Sequence, residues 1–173
     1  TSWQKCGNVA ATLDRFRKET ASDYFDIVLL HCMTKGTWQE DKKAFIDALS
    51  EAKEKGIIKT VGVSCHNWEA MKVAATDPWV DVLLARINPF GVHMDGTPEA
   101  VSALLGTARD NGKGIIGMKI FGNGDKIREE EREQSIRYAL KKGNIHCMTL
   151  GMESIAQVDD AIERVMRLSK SLS

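Results

Sequence analysis

Apolar positions along the chain follow two alternating rhythms. After Asn8, a residue type that favours helix N-caps, Val9, Leu13 and Phe16 repeat at helical spacing. Residues 24–30 then form a short apolar run of strand length. Helical spacing returns at Phe45, Ala48, Leu49 and Ala52 and stops at Lys55-Gly56. Continued in this way, the pattern predicts strands at 25–31, 57–63, 80–87, 114–120 and 145–149. A short helix is expected over 67–75, and a longer one between Thr97-Pro98 and Asn111-Gly112. Asp125 is expected to cap a charged helix ending at Lys141-Lys142-Gly143. Ser154 and Gln157 form a capping box ahead of Val158, Ile162 and Val165. Three helices thus end in glycine just before a strand, which suits left-handed C-caps.

The strands read as near-continuous apolar runs, as strands buried on both faces do. Parallel strands joined by right-handed helical crossovers are the expected α/β architecture, with helices outside. A doubly wound sheet and part of a (β/α)₈ barrel both fit this order. No G-x-G-x-x-G or G-x-x-x-x-G-K-[ST] follows a strand, which weakens the doubly wound reading. A complete barrel takes about 250 residues, so a 173-residue chain holds five of its eight units. The chain opens on a loop and a helix, as a cut barrel would. No linker or low-complexity stretch interrupts residues 1–173, which are expected to form a single domain.

Charge narrows the partners. Twenty-four Lys+Arg balance 24 Asp+Glu, leaving no net field to attract nucleic acid or an anionic membrane. No apolar run approaches the roughly 18 residues of a membrane span, and no signal-like segment opens the chain. The expectation is a cytoplasmic protein, with any export signal confined to a missing N-terminal part. Cysteines 6, 32, 65 and 147 lack C-x-x-C spacing and read as free thiols. Neighbouring residues on a strand face opposite ways, so each adjacent His/Cys pair offers at most one inward ligand, and no metal site is expected.

Polar residues gather where strands should stop. These ends are His31-Cys32, Ser64-Cys65-His66-Asn67, Arg86-Ile87-Asn88-Pro89, Lys119-Ile120-Phe121-Gly122-Asn123-Gly124 and His146 to Gly151. In α/β folds, working residues lie at such carboxyl ends, and the loops at one end of a barrel would bring most of them together. His31 is either a donor and titrating group aimed into a pocket or a core histidine satisfied by a backbone carbonyl. His146 reads as structural, His93 as a solvated turn residue, and the run 128–133 as a solvated helix face. Lys119 precedes glycines that would let backbone approach a phosphate; alternatively it is a rim lysine facing solvent.

Together these motifs resemble the aldo-keto reductases. Residues 25–31 (FDIVLLH) resemble that family's D-x-x-L-x-H strand, and 56–64 (GIIKTVGVS) its G-K-I-R-x-I-G-V-S strand. Asn88-Pro89-Phe90 resembles its N-P-Y/F, and Tyr138-Ala139-Leu140 the helix before its last strand. Residues 149–157 are similar to its I-P-G-x-x-S-x-x-Q cofactor loop. The resemblance implies a partial (β/α)₈ barrel holding strands four to eight and lacking the first three. It implies reduction of small aldehydes or ketones with NADP(H) ahead of NAD(H), and His31 as the catalytic histidine. The family's Asp, Tyr and Lys would precede Thr1-Ser2-Trp3, which resembles the stretch after that lysine. Ser64 would hold the nicotinamide carboxamide, with His66 or Asn67 completing the contact. Leu84 stands where the family has Gln, with Arg86 as a replacement. Met118 would underlie the nicotinamide, and Lys119, Phe121 and Gly122 would line the pyrophosphate loop. Gly151, Ser154, Gln157 and Asp160 would line the adenosine end. Two other readings stand beside this one. One is a lyase or isomerase barrel with a reactive Lys119; the other is a non-catalytic relative that binds the cofactor.

Overall fold

The computed structural model describes residues 7–171. Thr1-Ser2-Trp3 and Cys6 lie outside the described residues. The chain divides into two compact units, Thr1–Leu83 and Leu84–Ser173, with the boundary inside a strand.

The first unit runs α1 (Val9–Thr20), β1 (Phe25–Met33), α2 (Trp38–Asp41), α3 (Lys43–Glu54), β2 (Ile58–Cys65), α4 (Trp68–Thr76) and the start of β3 (Val82–Arg86). Asn8 caps α1 by accepting from the Ala11 N–H, and Asn67 caps α4 by accepting from Glu69 and Ala70. Gly56 has φ 72°, so the turn after α3 needs the left-handed region that glycine occupies freely. β1 and β2 are parallel, with Phe25 opposite Ile58 and Leu30 opposite Val63, and the strand order is β1-β2-β3. The Asp81 N–H donates to Val61 O at 2.9 Å, and the Val61 N–H donates to Asp81 Oδ2 at 2.8 Å. Leu49, Ile58, Val63, Met71 and Leu83 are fully buried.

The second unit holds the rest of β3, then α5 (Pro98–Asp110), β4 (Gly114–Met118), a 3₁₀ turn (Gly122–Gly124), α6 (Glu129–Lys142), β5 (Cys147–Met148) and α7 (Ile155–Lys170). Here the order is β3-β4-β5, and β4 and β5 are parallel. Thr97 caps α5 and Ser154 caps α7, as the sequence indicates. Ile87, Leu105, Ile115, Ile120 and Ile136 are fully buried. No helix among the described residues is long and apolar enough to cross a membrane.

Several expectations change. The charged helix starts at Glu129, not after Asp125. Positive φ at Gly122, Asn123 and Gly124 coils residues 122–126 into a turn, and Arg128 and Glu131 close the helix start instead. Gly143 has φ −71°, and the left-handed residue is Asn144, whose Nδ2 donates to Ser102 O at 2.9 Å. The run 128–133 is not simply solvated. Glu131 is buried against Arg128 and Lys126, and Glu133 pairs with Arg137, Arg164 and Arg167. The end strands are less buried than their apolar runs suggest. In β1 only Leu30 and Met33 are buried, and β5 shrinks to two residues with neither buried. Each of these strands pairs on one side only among the described residues.

Candidate functional site

In the first unit, His31, Ser64, His66 and Asn67 lie at the carboxyl ends of adjacent parallel strands. His31 is exposed, so it is not a core histidine; its ring meets that of His66 edge-on, with centroids 6.1 Å apart. Ser64 is 2% exposed, and its Oγ accepts from the Cys32 N–H at 3.0 Å. Cys32 has φ 65°, and the ladder is irregular between Leu30 and Met33. Asn67 Oδ1 is occupied by the α4 cap, which limits what else that atom can bind.

In the second unit, Arg86 ends β3 and is held by a two-point pair with Asp95, itself 2% exposed on its side chain. Met118 ends β4, and its carbonyl accepts from the Ile87 N–H at 3.0 Å. Lys119 has φ 58°, and its ammonium donates to Asn123 Oδ1. Beyond it, Phe121 O accepts from the Gly124 and Lys126 N–H groups. A Cβ on Gly122 would stand 3.0 Å from Lys126 Cγ and 3.2 Å from Val92. Asn88, 1% exposed, ties this loop to the preceding one. Its Nδ2 donates to Val92 O at 2.8 Å and Lys119 O at 3.2 Å, while its Oδ1 accepts from Phe90 and Val92. His93, exposed as expected, bonds Asp125 at 2.9 Å between the same two loops. His146 Nδ1 accepts from the Ile115 N–H at 2.9 Å.

At the start of α7, Ser154 Oγ caps the helix by accepting from the Gln157 N–H, while Gln157 Oε1 reaches past the cap to accept from the Glu153 N–H, so the expected capping box is only half formed. Gly151 is exposed, with no atom within 4 Å of a would-be Cβ. Asp160 is paired with Arg164 and Arg132. Hydrogen bonds from Arg164 first and then Arg132 hold its carboxyl down at about 2 against the opposing effect of burial. Among the described residues, no three His, Cys, Asp or Glu side chains converge as metal ligands.

The aldo/keto reductase family model matches residues 4–170. This chain belongs to the aldo/keto reductase family. An aldo-keto reductase of Pseudomonas aeruginosa superposes with a TM-score of 0.74 at 15% identity, over 92% of this chain and 58% of the other. An aldo-keto reductase of Bacillus halodurans in its holo form gives 0.68 at 15%, over 94% and 66%. The glycerol dehydrogenase of Gluconobacter oxydans gives 0.65 at 13%, over 95% and 62%. At such identities the likeness shows the fold, an α/β chain consistent with part of a (β/α)₈ barrel. The chain spans less than two thirds of the length of these solved relatives. No curated protein matches it in sequence.

Aldo-keto reductases as a class use nicotinamide cofactors on small carbonyl compounds, and the donor set here suits parts of such a cofactor. An anionic pyrophosphate would suit the charge of the Lys119 ammonium, which here donates to Asn123 Oδ1, and no atom lies within 4 Å of a Cβ built on Gly151. Asp160 does not fit, because its carboxylate is already paired with two arginines. Sequence reading missed Asn88 as the hub of the loops and Asp95 as the partner of Arg86. The N-P-F motif was the available signal for the first; nothing local announced the second.

Proposed function

We propose that this chain is the carboxyl-terminal, cofactor-binding portion of an NAD(P)H-dependent carbonyl reductase, corresponding to barrel strands four to eight. The observation that carries the reading is His31, an exposed imidazole at the end of β1, in a chain matched over residues 4–170 by the aldo/keto reductase family. The chemistry a nicotinamide would supply here, when bound, is hydride donation to the carbonyl carbon. His31 donates a hydrogen bond that orients the carbonyl oxygen and stabilises the charge building on it. One such donor is worth about 2.7–4 kcal/mol in the transition state. By the family resemblance, the proton that completes the alcohol would come from a tyrosine that neither Tyr24 nor Tyr138 matches in position.

Ser64 retains its hydroxyl proton for the carboxamide, since its oxygen, not its hydrogen, serves Cys32. Lys119, Phe121 and Gly122 would hold the pyrophosphate, Met118 would contact the nicotinamide, and Gly151, Ser154 and Gln157 would contact the adenosine end. NADPH, the family's usual cofactor, is tested first. NADH is tested beside it because residues 149–157 contain no Lys or Arg for a 2′-phosphate.

The test is carbonyl-dependent NADPH oxidation by the protein with its upstream sequence, compared with residues 1–173 alone. The longer protein is expected to turn over, and the 173-residue chain to bind cofactor without turnover. His31→Ala in the longer protein should lower kcat by about 10²–10³ with little change in cofactor affinity. Equal losses in both, or robust turnover by residues 1–173, refute the assignment.

A further inference from the structure

We propose that Ser64 is a positioning residue, a latch on a β-bulge that fixes the direction of the His31 imidazole. The proposal rests on the reading of His31 as the carbonyl-orienting group, but its test needs neither cofactor nor substrate.

β1 and β2 keep regular register up to Leu30 opposite Val63, and resume it at Met33 opposite Cys65. Two residues, His31 and Cys32, therefore oppose one, Ser64, which is the count of a β-bulge. Bulges re-aim side chains, and the one re-aimed here is His31. The insertion leaves the Cys32 N–H without its ladder partner, and Ser64 Oγ takes that place at 3.0 Å. Immediately beyond, the His66 N–H donates to Met33 O at 2.9 Å and restores the ladder. The irregularity is thus confined between two fixed points.

Packing shows what the bulge accomplishes. Val63 and Cys65 are two apart on β2, share a face, and are fully buried. Their partners Leu30 and Met33 are three apart, yet both are buried, at 1% and 2% exposure. A regular strand would send residues three apart to opposite faces, so the extra residue is what buries both. The conformation is not a local preference of the chain, since Cys32 sits at φ 65°, where a side chain is disfavoured. It persists because something holds it. Ser64 is the side chain that does so, and it is too buried for water to substitute.

The imidazole is then constrained twice. Ser64 fixes the backbone that carries His31, and the His66 ring meets the His31 ring at 69°. Under the proposed function, one serine accepts from Cys32 to aim His31 while its hydroxyl proton serves the carboxamide. Cofactor capture and carbonyl orientation would share a single side chain.

The experiment compares cofactor-free residues 1–173 as the parent sequence, Ser64→Ala, Ser64→Cys and Cys32→Gly. Hydrogen exchange is read on peptides covering residues 30–33, together with the ¹⁵N shifts of the histidine rings. Ser64→Ala and Ser64→Cys should speed exchange of the Cys32 amide about tenfold (about 1.4 kcal/mol). They should also shift the His31 ring signals while leaving those of His93 and His146 in place. Cys32→Gly keeps the N–H and relieves the backbone, so its protection should persist. Should the alanine variant fail to fold, Ser64→Cys, nearly the same size with a weakly accepting sulfur, decides the question. An equally protected Cys32 amide with unmoved His31 signals in the folded variants overturns the latch. A latch upheld here, with carbonyl reduction indifferent to His31→Ala, would instead remove the functional reading.

Discussion

Gly62 makes the sharpest structural prediction, because the space beside it is already filled by backbone. A Cβ at this position would stand 1.8 Å from Val82 O, 2.7 Å from Val82 C and 3.0 Å from Val82 N. Gly62→Ala therefore requires β2 and β3 to part until the oxygen retreats from 1.8 Å to beyond 3.0 Å. The flank at Val61 cannot absorb that movement without losing its hydrogen bonds. The bonds between Asp81 and Val61 are 2.9 and 2.8 Å long, and hydrogen bonds weaken steeply when stretched by an ångström. Overpacking costs about 1–3 kcal/mol, and two lost hydrogen bonds add about 0.5–1.5 kcal/mol each. The expected destabilisation is about 2–6 kcal/mol, a large share of the roughly 5–15 kcal/mol that ordinarily holds a domain together. Urea unfolding followed by tryptophan fluorescence reads it, since the Trp38 and Trp79 rings lie 6.2 Å apart, tilted at 50°, in the same unit. With a slope of about 1–3 kcal/mol/M, the midpoint should fall by roughly 1 M or more. Gly56→Ala is the contrast: no atom lies within 4 Å, and only its φ of 72° is strained, so a loss of about 1–2 kcal/mol is expected. A Gly62→Ala midpoint within about 0.3 M of the parent would refute the backbone-clash argument.

Asn88→Ala removes a buried hub from the two loops of the second unit and should cost about 2–4 kcal/mol, read as faster proteolysis within residues 88–126 and a lower Tm. The carboxyls of Glu133 and Asp160 are held down at about 2, against ordinary values of 4.5 and 3.8. The stability they lend is therefore present above the ordinary carboxylate range and lost as pH falls towards 2. Arg164→Met should destabilise at pH 7, with the gap from the parent narrowing between about pH 4 and 2 in thermal melts; a constant gap would remove the ion pairs as its source. Ile155, Val158, Ile162 and Met166 form an exposed apolar stripe along α7, so Ile162→Lys should lower self-association of residues 1–173 in sedimentation without lowering Tm.

What the sequence settled by itself is what neighbouring residues decide. Asn8, Asn67, Thr97 and Ser154 cap the helices they precede because a cap needs only its own side chain and N–H groups two or three residues on. Gly56 and Gly112 end helices for a similarly local reason, φ values of 72° and 77°. Parallel pairing was legible too, since each short apolar run is followed by a helix that can cross back to the next strand; β1 with β2 and β4 with β5 pair in this way. Family membership was carried by motifs spread through the chain in order. Tertiary structure decided everything that needed a partner far away in sequence. Asp160 looks like a ligand for adenosine until Arg132, 28 residues earlier, is found against it. Arg86 looks available until Asp95 folds back onto it, and the acidic run after Ile127 looks solvated until α7 supplies its arginines. The bulge at His31 has no sequence signature, because its cause is a serine hydroxyl 32 residues away. Hydrophobic spacing encodes which face of an element is buried, but a polar side chain acquires its role only from whatever packing brings within about 3 Å of it.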